Sequence, residues 1–273
     1  MKHVHTMTAA AVAFGLTASA SAVVVDFETD ENGDAMIGGQ IIDPAFDAVD
    51  LEFGLSPASL FTISSRVLPS SNDGHIGVTV FDSDPPISPI EPDLEVGLGN
   101  ILILQDDDMP DTSVDPTVGL VYDDPDDDEG NNDAGAFVFD FNVLVELESI
   151  TLVDINGGVE PLVTLTDING LTRVYDVPSK WTHDVTEDPV GFDVLMLNTL
   201  ADQDGEGPGG LATASEDAGF DPQAVVQLDV ALDGNSPSGG IDNLVFTVIP
   251  EPSTALLAGA GLLTLAARRR RSA

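Results

Sequence analysis

The chain has 273 residues, of which 48 are acidic and 8 are basic, so its formal net charge is −40 at pH 7. It contains no cysteine, and therefore no disulfide can stabilise the fold even in an oxidising compartment. A negative field of this size repels nucleic-acid phosphates and anionic lipid, which excludes a nucleic-acid-binding function. Cations are the partners that it attracts, calcium above all. The alternative is an acidic surface that only keeps the protein soluble.

The first 22 residues have the order of parts found in a secretion signal. A basic residue, Lys2, precedes an apolar run over residues 7–16, and the segment ends in Ala20-Ser21-Ala22. Small residues at this spacing fit the cleavage groove of signal peptidase. We therefore predict a signal helix over residues 1–22 and a mature chain that begins at Val23. A buried core helix, the alternative, would not explain these three features together.

Residues 23–249 are predicted to form a single all-β domain, an antiparallel β-sandwich. Short runs rich in Val, Ile, Leu and Phe recur between clusters of Asp, Gly, Pro and Asn, which is typical of strands and turns rather than of helices. The number of such runs suits a sandwich. They cover residues 23–29, 77–82, 100–104, 118–122, 136–142, 147–155, 162–166, 172–177, 193–198, 224–231 and 241–248.

One short sequence occurs twice. TLVDING at positions 151–157 returns as TLTDING at positions 164–170. Both copies end in Asn-Gly, and these residues tolerate the positive φ that tight hairpin turns need. The repeat is explained by hairpin chemistry rather than by a calcium-binding repeat, and it predicts a three-stranded antiparallel meander over residues 147–177.

Three segments are predicted to be loops. Acidic clusters at residues 106–108 and 123–130 have no hydrophobic partner pattern, which indicates exposed loops. Residues 202–215 are small and rich in glycine, which predicts a long mobile loop.

The end of the chain, residues 250–273, has three parts in a fixed order. A Pro-Glu-Pro triplet is followed by an apolar run over residues 253–267 and then by four arginines. This order resembles the PEP-CTERM sorting signal that exosortases recognise. The residues that carry the resemblance are Pro250, Glu251, Pro252, Arg268, Arg269, Arg270 and Arg271.

The physics of the tail agrees with a temporary membrane anchor. Four arginines beside an apolar helix hold that end in the cytoplasm and leave Glu251 outside. At ~1.5 Å per residue the apolar helix spans roughly 22 Å, less than the ~30 Å hydrocarbon core. A permanent anchor is the alternative, and the Pro-Glu-Pro triplet favours the sorting signal. We expect processing by signal peptidase and exosortase, transient insertion in the inner membrane, and a final location at the cell surface or in the extracellular matrix.

The sequence contains no pattern that predicts catalysis. The histidines between the two terminal segments are His75 and His183, which lie far apart without a nearby cysteine, so a zinc site of the usual ligands is not predicted. No nucleophile or phosphate-loop motif is present. A secreted glycoside hydrolase with paired carboxylates is an alternative, but 48 acids make suitable spacing uninformative. We therefore predict a protein that is not an enzyme.

Two short segments at the edges of the domain point to a metal site. Asp26-Phe27-Glu28-Thr29 and the run over 239–246 resemble the first and last strands of extracellular jelly-roll modules, such as MAM-type domains and calcium-containing carbohydrate-binding modules. The resemblance implies a jelly-roll sandwich and a structural calcium ion. The ligands that it implies are Glu28 and Asp242, with Asp26 and Asp30 as further candidates. The alternative is that these acids face solvent.

Two other acids and one aromatic residue are also candidates. Asp82 and Asp84 follow a predicted strand, where they could serve as loop ligands for a cation. Jelly-roll modules grip glycans by stacking sugar rings on flat aromatics, which makes Trp181 the candidate ligand-binding residue and Tyr122 and Tyr175 further platforms. The alternative for an isolated Trp is packing in the core. The leading prediction is a non-enzymatic exported protein with bound calcium, and the first alternative is a carbohydrate-binding module for extracellular polysaccharide.

Overall fold

The structure is a computed structural model, and it divides the chain into two units. One unit is Ser21–Ile249, and the other combines Met1–Ala20 with Pro250–Ala273. The residues that the structure describes are 22–29, 33–42, 46–47, 60–69, 77–84, 94–105, 112–123, 125–127, 135–155, 158–182, 191–234 and 238–250. The predicted C-terminal helix lies outside these ranges, and so does the predicted signal helix apart from Ala22, which belongs to a strand. Within them, no helix has the length and apolar character needed to cross a membrane.

Sixteen strands make up the described part of the domain, and their pairings are antiparallel. The prediction of an all-β, antiparallel fold is confirmed. The strands are β1 (Ala22–Val25), β2 (Ile41–Ile42), β3 (Phe46–Asp47), β4 (Phe61–Val67), β5 (Val78–Asp82), β6 (Asn100–Leu104), β7 (Thr112–Asp115), β8 (Gly119–Tyr122), β9 (Gly135–Val153), β10 (Leu162–Asp167), β11 (Thr172–Asp176), β12 (Phe192–Met196), β13 (Gln203–Asp204), β14 (Leu211–Glu216), β15 (Val225–Leu232) and β16 (Gly240–Val248).

The long strand β9 belongs to both layers of the sandwich. Its first half pairs with β4 on one edge and with β15 on the other. Its second half pairs with β12 and β16. One layer therefore has the order β3-β4-β9-β15-β10-β11-β14-β13, and the other has the order β12-β9-β16-β6-β5-β2, with β1 also paired to β16. β7 and β8 form a separate hairpin.

The core between the layers is built on aromatic rings. Phe61 of β4 packs against Phe139 and Phe141 of β9, with ring centroids 5.7 Å and 5.6 Å away. Phe246 of β16 lies edge-on to Phe61 and Phe141, at 5.9 Å and 5.4 Å. Such tilted and edge-on pairs stabilise a core beyond their buried area. The cluster therefore joins three strands from both layers.

Some predicted strand boundaries are wrong. The predicted runs 136–142 and 147–155 form one strand, β9, because no turn separates them, although the register against β15 shifts between Asp140 and Val145. The predicted mobile loop over 202–215 contains β13 and most of β14, and β14 pairs with β11. The small and polar residues of β14 are mostly exposed at the side of the sheet, so hydropathy gave no strand signal there.

The repeated sequence forms a hairpin at its second copy alone. β10 and β11 pair as predicted, and the Asp167 carboxylate accepts hydrogen bonds from the backbone N–H groups of Asn169 at 2.8 Å and Leu171 at 2.9 Å. β9 is not next to β10, so the predicted three-stranded meander is wrong. In the first copy Asp154 has a φ of 55°, and the N–H of Ile155 donates to Thr182 Oγ1 at 2.8 Å.

Part of the acidic segment 123–130 is buried, which corrects the prediction of a fully exposed loop. Asp126 and Asp127 are 8% and 2% exposed. Asp127 Oδ2 accepts a hydrogen bond from the N–H of Gly239 at 2.5 Å. Burial of this carboxylate is compensated by that bond, because a backbone N–H directed at a carboxylate is a charge-assisted donor. Residues 106–108 lie outside the described ranges.

Two arginines tie strands together. Arg173 on β11 donates to Glu216 Oε2 on β14 from two nitrogens, at 2.8 Å and 3.0 Å, and to the carbonyl oxygen of Leu197 at 3.1 Å. Its guanidinium also lies 4.9 Å from the ring centroid of Phe220. Arg66 on β4 contacts Asp229 on β15 at 2.5 Å, but its side chain is 47% exposed. The Arg173 side chain is 8% exposed.

We expect Arg173→Ala to lower the free energy of unfolding by about 3 kcal/mol, because it removes one partner of a mostly buried ion pair. Arg66→Ala is the matched control and should cost less than about 1 kcal/mol, since an exposed pair is weakened by solvent screening. Urea unfolding of both variants measures the difference. Equal losses of unfolding free energy in the two variants would contradict the prediction that the buried ion pair contributes more than the exposed one.

Candidate functional site

The candidate site lies where the first and last strands of the domain run side by side. β1 pairs with β16 from Ala22↔Thr247 to Val25↔Leu244. Both strands become irregular just past that last pair. Phe27 has a φ of 55° and Asn243 a φ of 46°. A bulge in β16 accounts for the second value, because its register against β9 shifts between Asp242 and Val245.

Asp242 is a buried carboxylate with an unsatisfied oxygen. The residue is 1% exposed. Its Oδ2 accepts a hydrogen bond from the side-chain amide of Asn243, whereas Oδ1 has no partner among the described residues. Burial raises the pKa of Asp242 to about 7, and the negative charges of Asp26 and Glu28 add to this rise, while a hydrogen bond from the backbone of Asn243 opposes it. Three acids therefore interact at this one place.

The side chain of Glu28 is held in a fixed position. Its Oε1 accepts a hydrogen bond from the backbone N–H of Asn100 at 2.9 Å. The side-chain amide of Asn100 in turn donates to the carbonyl oxygens of Phe27 at 3.3 Å and Met36 at 3.2 Å. A Cβ at Gly99 would lie 1.9 Å from Glu28 Oε1. Glycine at position 99 is what allows Glu28 to lie against the start of β6.

The other acids predicted as metal ligands have different positions. Asp26 Oδ1 accepts a hydrogen bond from the N–H of Glu28 at 3.2 Å. Asp30 lies outside the described residues. Asp82 pairs with Asn100 at the end of β5, and its Oδ1 accepts a hydrogen bond from the N–H of Asp84 at 3.0 Å. Asp82 and Asp84 are both exposed, and this local turn is sufficient to explain their positions.

The cluster is not a complete metal cage made of side chains. In the described parts of the chain, no group of three or more His, Cys, Asp or Glu side chains has an arrangement that could hold a metal ion. Calcium accepts carbonyl and water oxygens as well as carboxylates. A calcium ion at Asp242 would therefore need ligands of those kinds in addition to the acids.

Trp181 is a core residue, and its prediction as a sugar-stacking platform is wrong. Its side chain is fully buried. Its carbonyl oxygen accepts a hydrogen bond from the N–H of Gly207 at 2.9 Å, and a Cβ at Gly205 would lie 2.8 Å from the indole ring. Tyr122 and Tyr175, the further platforms, are buried as well. Glycine at position 205 therefore lets the segment after β12 lie against the indole, and Gly207 bonds to the backbone of the same residue.

Sequence reasoning missed two features of the described domain. Asn100 and Gly99 position Glu28, and the glycines at 97 and 99 directly before β6 were the available signal. The second feature is an open groove of about 340 Å³ on the outer face of β4, β10 and β15. Residues that line it include Thr164, Thr166, Gln227 and the Arg66–Asp229 pair. A groove formed across three strands has no signature in one segment of sequence.

The raised pKa of Asp242 predicts a specific pH dependence in the absence of divalent cations. An acid whose pKa is higher in the folded state than in the unfolded chain holds its proton better when folded, so stability is greatest at low pH and falls as the pH rises from about 4 to about 7. Between pH 5 and pH 8, the free energy of unfolding of the wild-type protein should fall on the order of 2 kcal/mol because of this group. Asp242→Asn should not show this fall.

Urea unfolding in EDTA at several pH values measures this effect. The exposed Asp82→Asn variant is the control, and its free energy of unfolding should change with pH as that of the wild type does. If the free energy of unfolding of Asp242→Asn falls with pH as steeply as that of the wild type, then the pKa of the Asp242 carboxyl group is not raised in the folded protein.

Comparison with known proteins gives one family match, which lies at the end of the chain. Residues 248–271 match the PEP-CTERM protein-sorting motif. No curated protein matches the chain. Among solved structures, a family 11 carbohydrate-binding module from Clostridium thermocellum, in complex with a β-1,3-1,4-mixed-linked tetrasaccharide, is 9% identical and covers 78% of this chain and 96% of its own. Its TM-score of 0.24 is too low to carry an argument about this chain.

The match to the sorting motif confirms the sequence-based recognition of the tail. The matched residues include the Pro-Glu-Pro triplet and the arginines predicted to carry the signal. The chain therefore carries a PEP-CTERM sorting signal, which implies an exported protein sorted through the exosortase pathway.

Proposed function

We propose that the protein is a non-enzymatic protein of the cell surface or extracellular matrix, whose β-sandwich is stabilised by a calcium ion bound at Asp242. The sorting motif at residues 248–271 supports the export and sorting part of this proposal. The calcium part rests on one observation, the buried Oδ1 of Asp242 that has no partner among the described residues.

A bound cation would offset two unfavourable contributions to the free energy of folding at Asp242. Burying a carboxylate without a partner costs free energy, and the charges of Asp26 and Glu28 add repulsion. A hard divalent cation compensates both, because it supplies the missing partner for Oδ1 and neutralises the neighbouring acids. Asp242 is the central ligand in this proposal, with either Glu28 or Asp26 as the second carboxylate. Backbone carbonyl and water oxygens complete the coordination.

The proposed non-catalytic role agrees with how the domain uses its aromatic residues. Phe61, Phe139, Phe141 and Phe246 fill the space between the layers. Trp181 and Tyr175 are fully buried. These rings stabilise a closed interior and do not line a cleft. The hydrolase alternative requires such a cleft, with two acids converging on it. The groove over β4, β10 and β15 is lined by two acids, Asp229 and Asp233, and Arg66 forms an ion pair with Asp229.

Calcium should raise the melting temperature of the wild-type protein at pH 8. At a concentration one hundred times the Kd, a ligand that binds the folded state stabilises it by about 2.7 kcal/mol. For a domain of this size that corresponds to a rise of about 5 to 10 °C. Differential scanning calorimetry in EDTA and in calcium measures the shift.

Asp242→Asn should abolish the calcium-dependent shift, because Asn has no charge to bind the cation, whereas Asp82→Asn should keep it. An equal rise in melting temperature in the wild type and in Asp242→Asn would show that calcium binds at a different site. No rise in the wild-type protein would remove calcium from the proposed function and leave the sorting motif unaffected.

The groove over β4, β10 and β15 favours a second candidate function, binding of extracellular polysaccharide. The hydroxyls of Thr164 and Thr166, the amide of Gln227 and the Arg66–Asp229 pair present both donors and acceptors along it. Hydroxyl-rich ligands use such mixed polar groups for orientation. This candidate replaces the predicted platform at Trp181 with a surface that solvent reaches.

Thr164→Trp should abolish retention on a polysaccharide column, because the indole would fill the groove. Thr213→Trp, at an exposed position on β14, is the matched control and should be retained like the wild type. Chromatography on a panel of immobilised polysaccharides provides the measurement. Unchanged retention of Thr164→Trp would exclude the groove as the binding surface.

A further inference from the structure

Strand β12 is an open edge of the sandwich. It pairs with β9 along one side, and no described strand pairs with it on the other. In an antiparallel ladder every second residue directs its N–H and C=O away from its neighbour. The N–H of Leu197 donates to the carbonyl oxygen of Glu148 on β9 at 2.8 Å, so residue 197 faces β9. The residues that face outward are therefore Phe192, Val194 and Met196.

The side chains at the same three positions add an apolar surface to this edge. Phe192, Val194 and Met196 are 37%, 44% and 40% exposed, and the alternation of a strand places them on one face of the sheet. An edge that combines outward main-chain groups with exposed apolar side chains is a template for pairing with a further strand. The structure contains a contact that opposes such pairing.

The side chain of Gln203 covers the end of β12. Its Oε1 accepts a hydrogen bond from the N–H of Met196 at 2.7 Å, and its Nε2 donates to the carbonyl oxygen of Met196 at 2.8 Å. A side-chain amide has both an acceptor and donors, so it bonds to Met196 as the backbone of a neighbouring strand would. The next outward N–H, that of Val194, donates to Asp193 Oδ1 at 2.7 Å. Side chains therefore occupy three main-chain groups that a further strand would need.

The position of β12 does not depend on Gln203. Gln203 reaches β12 from β13, at the edge of the other layer. The carbonyl oxygen of Leu197, directly after β12, accepts hydrogen bonds from the Tyr175 hydroxyl at 2.5 Å and from Arg173 Nη1 at 3.1 Å. Leu195 in the strand itself is fully buried. Removal of the Gln203 amide would therefore uncover the edge and leave β12 in place.

We propose that Gln203 prevents β12 from pairing with β12 of a second copy of this chain. An antiparallel pair of copies centred on Val194 places Phe192 of each copy opposite Met196 of the other. Outward-facing residues then meet outward-facing residues, so each opposed pair can exchange N–H···O bonds, and apolar side chains meet on one face. The same edge serves both copies, which makes the contact two-fold and closed. This inference depends neither on calcium nor on glycan binding.

Sedimentation velocity of the secreted Gln203→Ala protein tests this proposal. EDTA removes calcium bridges, and about 1 M salt, where the Debye length is about 3 Å, screens the repulsion between two acidic copies. The wild type should be a monomer. Gln203→Ala should dimerise with a Kd at least about tenfold lower, because Phe192 and Met196 of the two copies then exchange main-chain hydrogen bonds. Gln223→Ala, which removes an amide bonded to the side chain of Glu146, is the matched control and should stay monomeric.

A second substitution shows whether the new contact uses β12. Val194→Lys, added to Gln203→Ala, places two like charges opposite each other at the centre of the pair, which destabilises it. It should restore the monomer. Val114→Lys on β7, at a position that is 76% exposed, changes the net charge equally and should leave the Gln203→Ala dimer intact.

Hydrogen exchange of the wild-type protein gives a readout that does not require a folded variant. The Met196 N–H should exchange at least about tenfold more slowly than in the unfolded chain, because Gln203 Oε1 holds it. Exchange at the unfolded rate would overturn the proposal, and so would a folded Gln203→Ala protein that stays monomeric. Dimers that persist with Val194→Lys would assign the contact to another surface and overturn it as well.

Discussion

Strand β9 pairs along both edges with four different strands, and this shared ladder determines where everything else in the domain lies. Its first half carries β4 and β15, and its second half carries β12 and β16. Because one strand serves both layers, the layers cannot shift relative to each other without breaking β9. The aromatic cluster around Phe61 and Phe246 fills the space that this arrangement encloses.

The position of β16 against β9 links the candidate site to the sorting motif. Near its start, the bulge beside Asn243 places Asp242 close to Asp26 and Glu28. At its end, Ile249 is bonded to Leu144 and the triplet follows. β1 pairs along the opposite edge of β16. The β1–β16 pair therefore carries the unsatisfied carboxylate and the points where the predicted leader and the sorting motif join the domain.

The sequence predicted the fold class and most of the strands, because β-branched and aromatic runs between turn residues are a local signal. It missed six strands that are short or rich in polar residues, and it separated β9 into two; the six are β2, β3, β4, β7, β13 and β14. The juxtaposition of Asp26, Glu28 and Asp242 followed from a short resemblance at both ends of the domain. The roles of Gly99 and Asn100 could not be predicted, because they depend on how the start of β6 packs against Glu28. Trp181 was misplaced because composition does not distinguish a buried indole from an exposed one.

The most direct test of the account is a crystal structure of the secreted protein grown at pH 8 with calcium. The account predicts a cation bonded to Asp242 Oδ1 at about 2.3–2.6 Å, with Glu28 or Asp26 and carbonyl or water oxygens as further ligands. Anomalous scattering would identify the ion. A structure at saturating calcium in which Asp242 is buried with no cation within bonding distance would contradict the account.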